Sequence, residues 1–199
     1  MHIAVEGIDG VGKTTIAREL SRRIGFQCIE KHLHALLDGE DISDIPNYLK
    51  VTEKVNASQD KLFRAWFYAL GNIYLKEHYG NADIVTDRYF VSNYSWNGTP
   101  ENEFIFEKMI ELLGKPEITF LIYANPEVRA ARIRQRNPQD PDLVNATVNF
   151  SETMYNRITG FLKKYDFRFY TIDTSDVSLD ESLTGIQDLL RKNFPARFL

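Results

Sequence analysis

The chain has 199 residues, 43% of them hydrophobic and 13% aromatic, which suits one domain with a substantial core and leaves too little for two full folds. A formal net charge of −4 argues against a broad nucleic-acid footprint, and no apolar run reaches the roughly 18 residues that a membrane span requires. Met1-His2-Ile3-Ala4-Val5-Glu6 enters a strand-like segment with no basic leader, and the one cysteine, Cys28, excludes an intramolecular disulfide framework, so the expected setting is a reducing cytoplasm.

Residues 3–5 read as a strand ended by Gly7 and Gly10, and residues 13–24 as a helix with Ile16, Leu20 and Ile24 on one face. A second strand is expected over 26–29, after the breaker Gly25. Residues 33–57 carry Pro46 and the acidic Asp38, Glu40, Asp41 and Asp44, and read as a loop with one short helix. A long helix over 59–79 presents a dense aromatic face of Phe63, Trp66, Phe67 and Tyr74. A third strand over 82–86 ends at Asp87 and Arg88, a helix follows over 101–113, and an apolar strand over 118–123 comes next. Pro126 opens an Arg-rich helix to about Arg136, and residues 137–141 break it. A helix over about 146–164, a fifth strand over 167–172 and a last helix over about 179–192 complete the chain. The alternation predicts a single α/β domain over 1–199, a parallel sheet covered by helices on both faces.

Gly7-Ile8-Asp9-Gly10-Val11-Gly12-Lys13-Thr14 fits the phosphate-loop pattern G-x-x-x-x-G-K-[ST] without a mismatch, with a strand before it and a helix after. Glycines let the backbone wrap a phosphate, Lys13 adds a mobile charge, and the helix start points its positive end at the same anion. Thr14 would place its hydroxyl on Mg²⁺. No Asn-Lys-x-Asp guanine reader occurs, so the loop alone leaves the phosphoryl acceptor open.

The chain resembles the thymidylate kinase family, a branch of the nucleoside monophosphate kinases. The resemblance begins at Glu6 and runs through the loop to Thr15. It continues at Asp87-Arg88-Tyr89-Phe90-Val91-Ser92-Asn93-Tyr94-Ser95-Trp96-Asn97-Gly98, similar to the family's D-R-Y-x-x-S-x-x-A-Y-Q-G. It returns at Pro126-Glu127-Val128-Arg129-Ala130-Ala131-Arg132-Ile133-Arg134-Gln135-Arg136, which looks like the family's lid, and at Ile172-Asp173-Thr174-Ser175. The resemblance implies a five-stranded parallel sheet, a lid over about 132–146, ATP and Mg²⁺ as cofactors, and a deoxynucleoside 5′-monophosphate as acceptor, best dTMP. A homodimer is also implied, with neither nucleic acid nor membrane as a partner.

By the same resemblance, Gly7, Asp9, Gly10, Val11, Gly12, Lys13, Thr14 and Thr15 bind the donor, and Thr14 and Asp87 attend the metal. Asp9 takes the acceptor sugar's 3′-hydroxyl, Arg88 grips its phosphate with Ser92 nearby, and Phe63 stacks on its base. Trp96 stands where the family has a Tyr that crowds the ribose 2′ position, and Asn97 where it has Gln. Arg132, Arg134 and Arg136 match the lid arginines of the bacterial form, whose phosphate loop has no Arg, as Gly10 here agrees. Each assignment has a plainer counterpart: Asp9 as a loop cap, Arg88 in an ion pair closing the sheet, Phe63 in the core, and the arginines on a solvated face. Helical spacing puts Arg129, Arg132 and Arg136 on one face and Arg134 elsewhere.

The departures fall on the acceptor side. Phe67 stands where the family's base-reading Arg would be, on the base site but unable to donate a hydrogen bond. Ile29-Glu30-Lys31-His32-Leu33-His34 replaces the family's R-E-P segment, and Asp140-Pro141-Asp142-Leu143 replaces its lid ending D-R-I-E. Two alternatives follow. One is a deoxynucleoside kinase in which Glu30, at the end of the second strand, is general base for a sugar 5′-hydroxyl. The other is a regulatory protein that binds ATP without transferring its phosphate.

Overall fold

The structure, a computed structural model, describes residues 1–198. Five parallel strands form one sheet in the order β2 (Gln27–Ile29), β3 (Ile84–Asp87), β1 (His2–Glu6), β4 (Ile118–Tyr123), β5 (Phe169–Asp173). Central β1 pairs Ile3 with Val85 on one side and with Ile118 on the other. Helices cover both faces, so Ile3, Val5, Ile118, Phe120, Leu121 and Ile122 have no solvent exposure. No helix among the described residues is long and apolar enough to cross a membrane.

Local chemistry sets the helix limits. In α1 (Lys13–Ile24), Gly25 in the left-handed conformation closes the last turn by donating to Ser21 O. Asn125 accepts from Val128 N ahead of α7 (Pro126–Arg136), with Pro126 in the first turn. Thr147 caps α8 (Val148–Lys164), and Ser178 with Glu181 forms a reciprocal capping box on α9 (Leu179–Asn193).

Four expectations need correction. Residues 33–57 hold two helices, α2 (His34–Asp38) and α3 (Pro46–Ala57), not one. The acidic cluster read as loop supplies a cap: the Asp38 carboxylate accepts from Asn47 N and Tyr48 N at the start of α3. Residues 90–97, read only as a motif, form α5 (Phe90–Asn97). Its Ser, Asn and aromatic residues are weak helix formers, and burial against α4 (Lys61–Tyr79) overrides that preference. The aromatic face expected on α4 is split, because Tyr74 is buried while Phe63 and Trp66 are half exposed, and Ala65, Ala69 and Leu75 face the core. Finally β5 starts at Phe169 rather than 167, after a turn with Asp166 at φ 50°. Packed on α4 and α5, α6 (Glu103–Leu113) buries Ile105, Phe106 and Met109.

Candidate active site

Everything chemically distinctive lies beyond the carboxyl ends of β1 and β3, where open α/β sheets bind ligands. The loop after β1 turns at Gly7 with φ 142°, where a Cβ would sit 2.5 Å from Ile122 O, and at Gly10 with φ 83°, where it would meet Ile133 at 2.9 Å. Cations hold the loop's carbonyls, three of them from outside it. Arg88 Nη1 donates to Gly7 O (3.3 Å), Lys13 Nζ to Ile8 O (2.6 Å), Arg129 Nε to Asp9 O (2.8 Å) and Arg132 Nη1 to Val11 O (3.2 Å). The first N–H groups of α1 lack helical partners and face the same loop, so the cradle suits a polyphosphate. Lys13 is buried, and burial pushes its amine down to about 8, with Arg88 adding and Asp9 opposing.

Thr14 Oγ1 donates to Asp87 Oδ2, and Asp87 Oδ1 is buried with no partner among the described residues. A hydroxyl, a carboxylate and an orphaned carboxylate oxygen beside a phosphate cradle fit Mg²⁺, which prefers hard oxygen ligands.

Arg88 adopts φ 74°, a left-handed conformation that costs a non-glycine residue on the order of 1–2 kcal/mol. It is held there by its N–H on Val5 O (2.9 Å), by Nη2 on Asp9 Oδ1 (2.5 Å) and by Nη1 on Ser92 Oγ (3.2 Å). Burial would raise the Asp9 carboxyl, but Arg88 and then Lys13 outweigh it and hold the group below the usual carboxylate range.

Beneath this pair lies Glu6, fully buried, accepting from Tyr89 N (2.8 Å) and Ser92 Oγ. In the sequence Glu6 is only the edge of a motif. The available signal was a carboxylate closing an apolar strand, which must find partners when buried. Burial pushes Glu6 up to about 7, against the opposing pull of Ser92 and Arg88. Between its ordinary 4.5 and about 7 the unfolded chain has released a proton that the folded protein retains, so stability falls as pH rises through that window and then levels off. Glu6→Gln has no such proton to lose. Buried His2 and His32, held down to about 3 and about 4, push stability the other way as pH rises, in the native protein and the variant alike. Denaturant melts at pH 5 and pH 8 should therefore show the native protein losing ground to Glu6→Gln by on the order of a few kcal/mol; parallel pH profiles would contradict this role for Glu6.

Two cavities meet at Asp9, Asp87 and Arg88, which line both. One, of about 530 Å³, holds the phosphate loop with Thr14, Thr15, Arg132 and Arg136. The other, of about 590 Å³, is bounded by His32, Arg64, Phe67, Tyr68, Ser92, Trp96 and Asn97 among others. Arg64, Phe67, Tyr68 and Gly71 form the stripe of α4 that faces it. Phe63, expected to stack on a base, does not line it: it precedes Arg64 by one position, falls just off that stripe, and is 51% exposed. Arg64, missed by sequence reading, enters the cavity wall with its Nε buried and unpartnered. Asn97 reaches the wall, but its Nδ2 is held on Asn93 Oδ1 (2.9 Å), and Asn93 in turn donates to Ala65 O, tying α5 to α4.

Glu30 does not face the second cavity. Its carboxylate is gripped by Arg18 through Nε (2.5 Å) and Nη2 (2.9 Å), which removes the base that the nucleoside-kinase alternative requires. Among the lid arginines, Arg132 holds Thr174 O (2.8 Å) as well as Val11 O, and Arg136 pairs with Asp140 (2.5 Å) at the rim of the first cavity. Arg134, expected to act with them, is exposed and lines neither cavity, as its 100° offsets around α7 dictate.

Comparison with known proteins agrees with this geometry. The family model described as thymidylate kinase matches residues 5–183. A thymidylate kinase of Lactobacillus helveticus is 28% identical, with 98% of each chain covered. Probable thymidylate kinase 1 of Saccharolobus solfataricus is 27% identical over 96% of this chain and 97% of that one. Two solved structures share the fold. A deoxyadenosine kinase from M. mycoides with bound dATP superposes with TM-score 0.63 at 19% identity, covering 96% of this chain and all (100%) of that one. A thymidylate kinase from Ehrlichia chaffeensis superposes with TM-score 0.60 at 18% identity, covering 96% and 98%. The chain belongs to the thymidylate kinase family and is an enzyme of the nucleoside monophosphate kinase group, whose members act on nucleoside monophosphates and generally take their phosphate from ATP with Mg²⁺.

Proposed function

We propose that this enzyme transfers the γ-phosphoryl group of ATP to dTMP, giving ADP and dTDP, with Mg²⁺ at Thr14 and Asp87. The observation that carries this reading is the junction of the two cavities at Asp9, Asp87 and Arg88, with the phosphate cradle on one side of it. An oxygen of the acceptor's 5′-phosphate forms a bond to the γ-phosphorus as the bond to the β–γ bridging oxygen breaks. Lys13 and the loop amides hold the donor, and Arg88 screens the acceptor's charge so that two anions can approach. Mg²⁺, when bound, neutralises charge on the donor phosphates. Arg132 fixes the loop, and Arg136, on release from Asp140, would supply positive charge from the lid. Asp9 takes the sugar 3′-hydroxyl, and Trp96 fills the space a 2′-hydroxyl would need.

Base recognition falls to Phe67 and Arg64. Phe67 offers a ring face, and the unpartnered Arg64 Nε supplies the donor that Phe67 cannot. That donor suits a base carbonyl such as those of thymine. Arg64→Met should therefore raise the KM for dTMP about 10-fold or more, the scale of one hydrogen bond to a charged group, while leaving the KM for ATP within about 3-fold. Unchanged dTMP selectivity over dCMP in that variant would contradict the assignment.

The outer side of α4 exposes Leu62, Phe63, Trp66, Leu70 and Ile73, an apolar stripe that supports a homodimer through this helix. A cytoplasmic setting accords with Cys28 as a free thiol.

A further inference from the structure

Arg129 has no place in the transfer just described, yet it is the largest side chain with no solvent exposure. Among the described residues it forms no ion pair, and one donor, Nη2, is buried without a partner. What it touches comes from three separate parts of the chain. Nε donates to Asp9 O in the phosphate loop (2.8 Å), and Nη1 to Asn145 O (3.2 Å), the last residue of the 3₁₀ turn Pro141–Asn145. Nη1 also donates to Ser151 Oγ in α8 (2.6 Å), and the guanidinium lies 6.0 Å over the Phe150 ring. A buried arginine with no counter-ion is held at a desolvation cost, so its three backbone and hydroxyl contacts must define its position closely.

We propose that Arg129 is the positioning residue that locks the phosphate loop to the point where the lid returns to the core. Residues 137–147 leave α7 after Arg136 and rejoin at α8, so the lid has two anchors. The first is α7 itself. The second is the Arg129–Asn145 contact, and the same guanidinium sets the peptide of Asp9, whose side chain pairs with Arg88. Movement of the lid's return segment is thereby transmitted to Asp9 and Arg88 through one rigid planar group. Lysine has one nitrogen and cannot span these acceptors. This proposal rests on reading the loop as the donor site for its kinetic consequence, but the mechanical coupling does not depend on that reading.

The test is amide hydrogen exchange on the nucleotide-free protein, comparing wild type with Arg129→Lys, Arg129→Met and Ser151→Ala. Useful reporters are Leu143 N and Ala146 N, which donate to Asp140 O and Leu143 O in the lid return, and Ile16 N, which donates to Gly12 O at the loop. Expected is faster exchange at both places together in the Arg129 variants, and at neither in Ser151→Ala, which removes only the α8 anchor. In steady-state assays the Arg129 variants should lose about 10- to 100-fold in kcat with smaller changes in KM, the scale of an ångström-sized misplacement, whereas Ser151→Ala retains kcat. Should Arg129→Met fail to fold, Arg129→Lys decides by the same measurements. Exchange that quickens at only one of the two places, or a lowered melting temperature with kcat and exchange intact, would overturn the proposal. So would Ser151→Ala reproducing the whole effect. A wild type inactive with every acceptor would remove the proposed function and leave the exchange test of Arg129 standing.

Discussion

Replacing Lys13 with methionine should lower kcat by about 10³-fold, the effect of deleting one preorganised charged donor from a water-poor transition-state site. The amine sits buried on Ile8 O at the mouth of the cradle, 4.0 Å from Asp9, and nothing else in the loop can bring a charge to the donor phosphates from below. Binding energy is not the main loss, so the KM for ATP should rise far less than kcat falls. Stability moves in the opposite direction to intuition. Burial lowers the Lys13 amine from 10.5 to about 8, so at pH 7 the folded protein carries the full cost of keeping that charge, and the cost fades as pH rises past about 8. Lys13→Met removes it and should melt no lower than the native protein at pH 7 without nucleotide. Stopped turnover with an intact melting curve, read by ADP release and calorimetry, is the expected result. Near-native kcat would contradict the role given to Lys13.

Arg88→Met should lower kcat/KM for the acceptor by about 10³-fold and leave the KM for ATP within about 3-fold, because its loss removes charge screening only where the two anions approach. The backbone makes the case. An arginine at φ 74° directly after a strand is retained against its conformational preference, and it donates at once to Asp9, Gly7 O and Ser92. Arg88→Lys keeps the charge but loses the planar fork, so an intermediate loss of about 10- to 100-fold is expected. Equal losses for Lys and Met would mean that geometry alone matters, and a large rise in the KM for ATP would move Arg88 to the donor side. In Arg88→Met its partner Asp9 keeps only the longer contact to Lys13, at 4.0 Å, so some loss of stability should accompany the kinetic change.

The sequence was most legible where local rules and the fold agree. Residues 118–123 and 126–136 emerge at the expected limits, since a six-residue apolar run rich in β-branched and aromatic side chains suits a buried strand and Asn125 with Pro126 suits a helix start. The turn from β1 into α1 was equally plain, because Gly7, Gly10 and Gly12 stand at positive φ where the pattern puts them. Legibility fell where tertiary contact overrides propensity. Residues 90–97 form a helix against their own preferences, and residues 46–57 gain their start from Asp38, eight residues before Pro46, a relation no periodicity reveals. On α4, a shift of one position around the helix separates Arg64, in the cavity wall, from Phe63, outside it. Glu6 and Arg129 stand in the motifs, but full burial is legible for Glu6 only from its place at the end of an apolar strand and for Arg129 not at all, because burial depends on what the other strands and helices bring to them.

The proposed function requires a monophosphate anion as phosphoryl acceptor and thymine as its base. ADP release from Mg-ATP, with each deoxynucleoside and each deoxynucleoside 5′-monophosphate offered separately at one enzyme concentration, tests it most directly. Turnover with dTMP well above the other monophosphates, and none with thymidine, is the result predicted from Arg88 at the junction and Arg64 in the cavity wall. Turnover of an unphosphorylated nucleoside would contradict the acceptor assignment, and preference for another monophosphate would contradict thymine as the base.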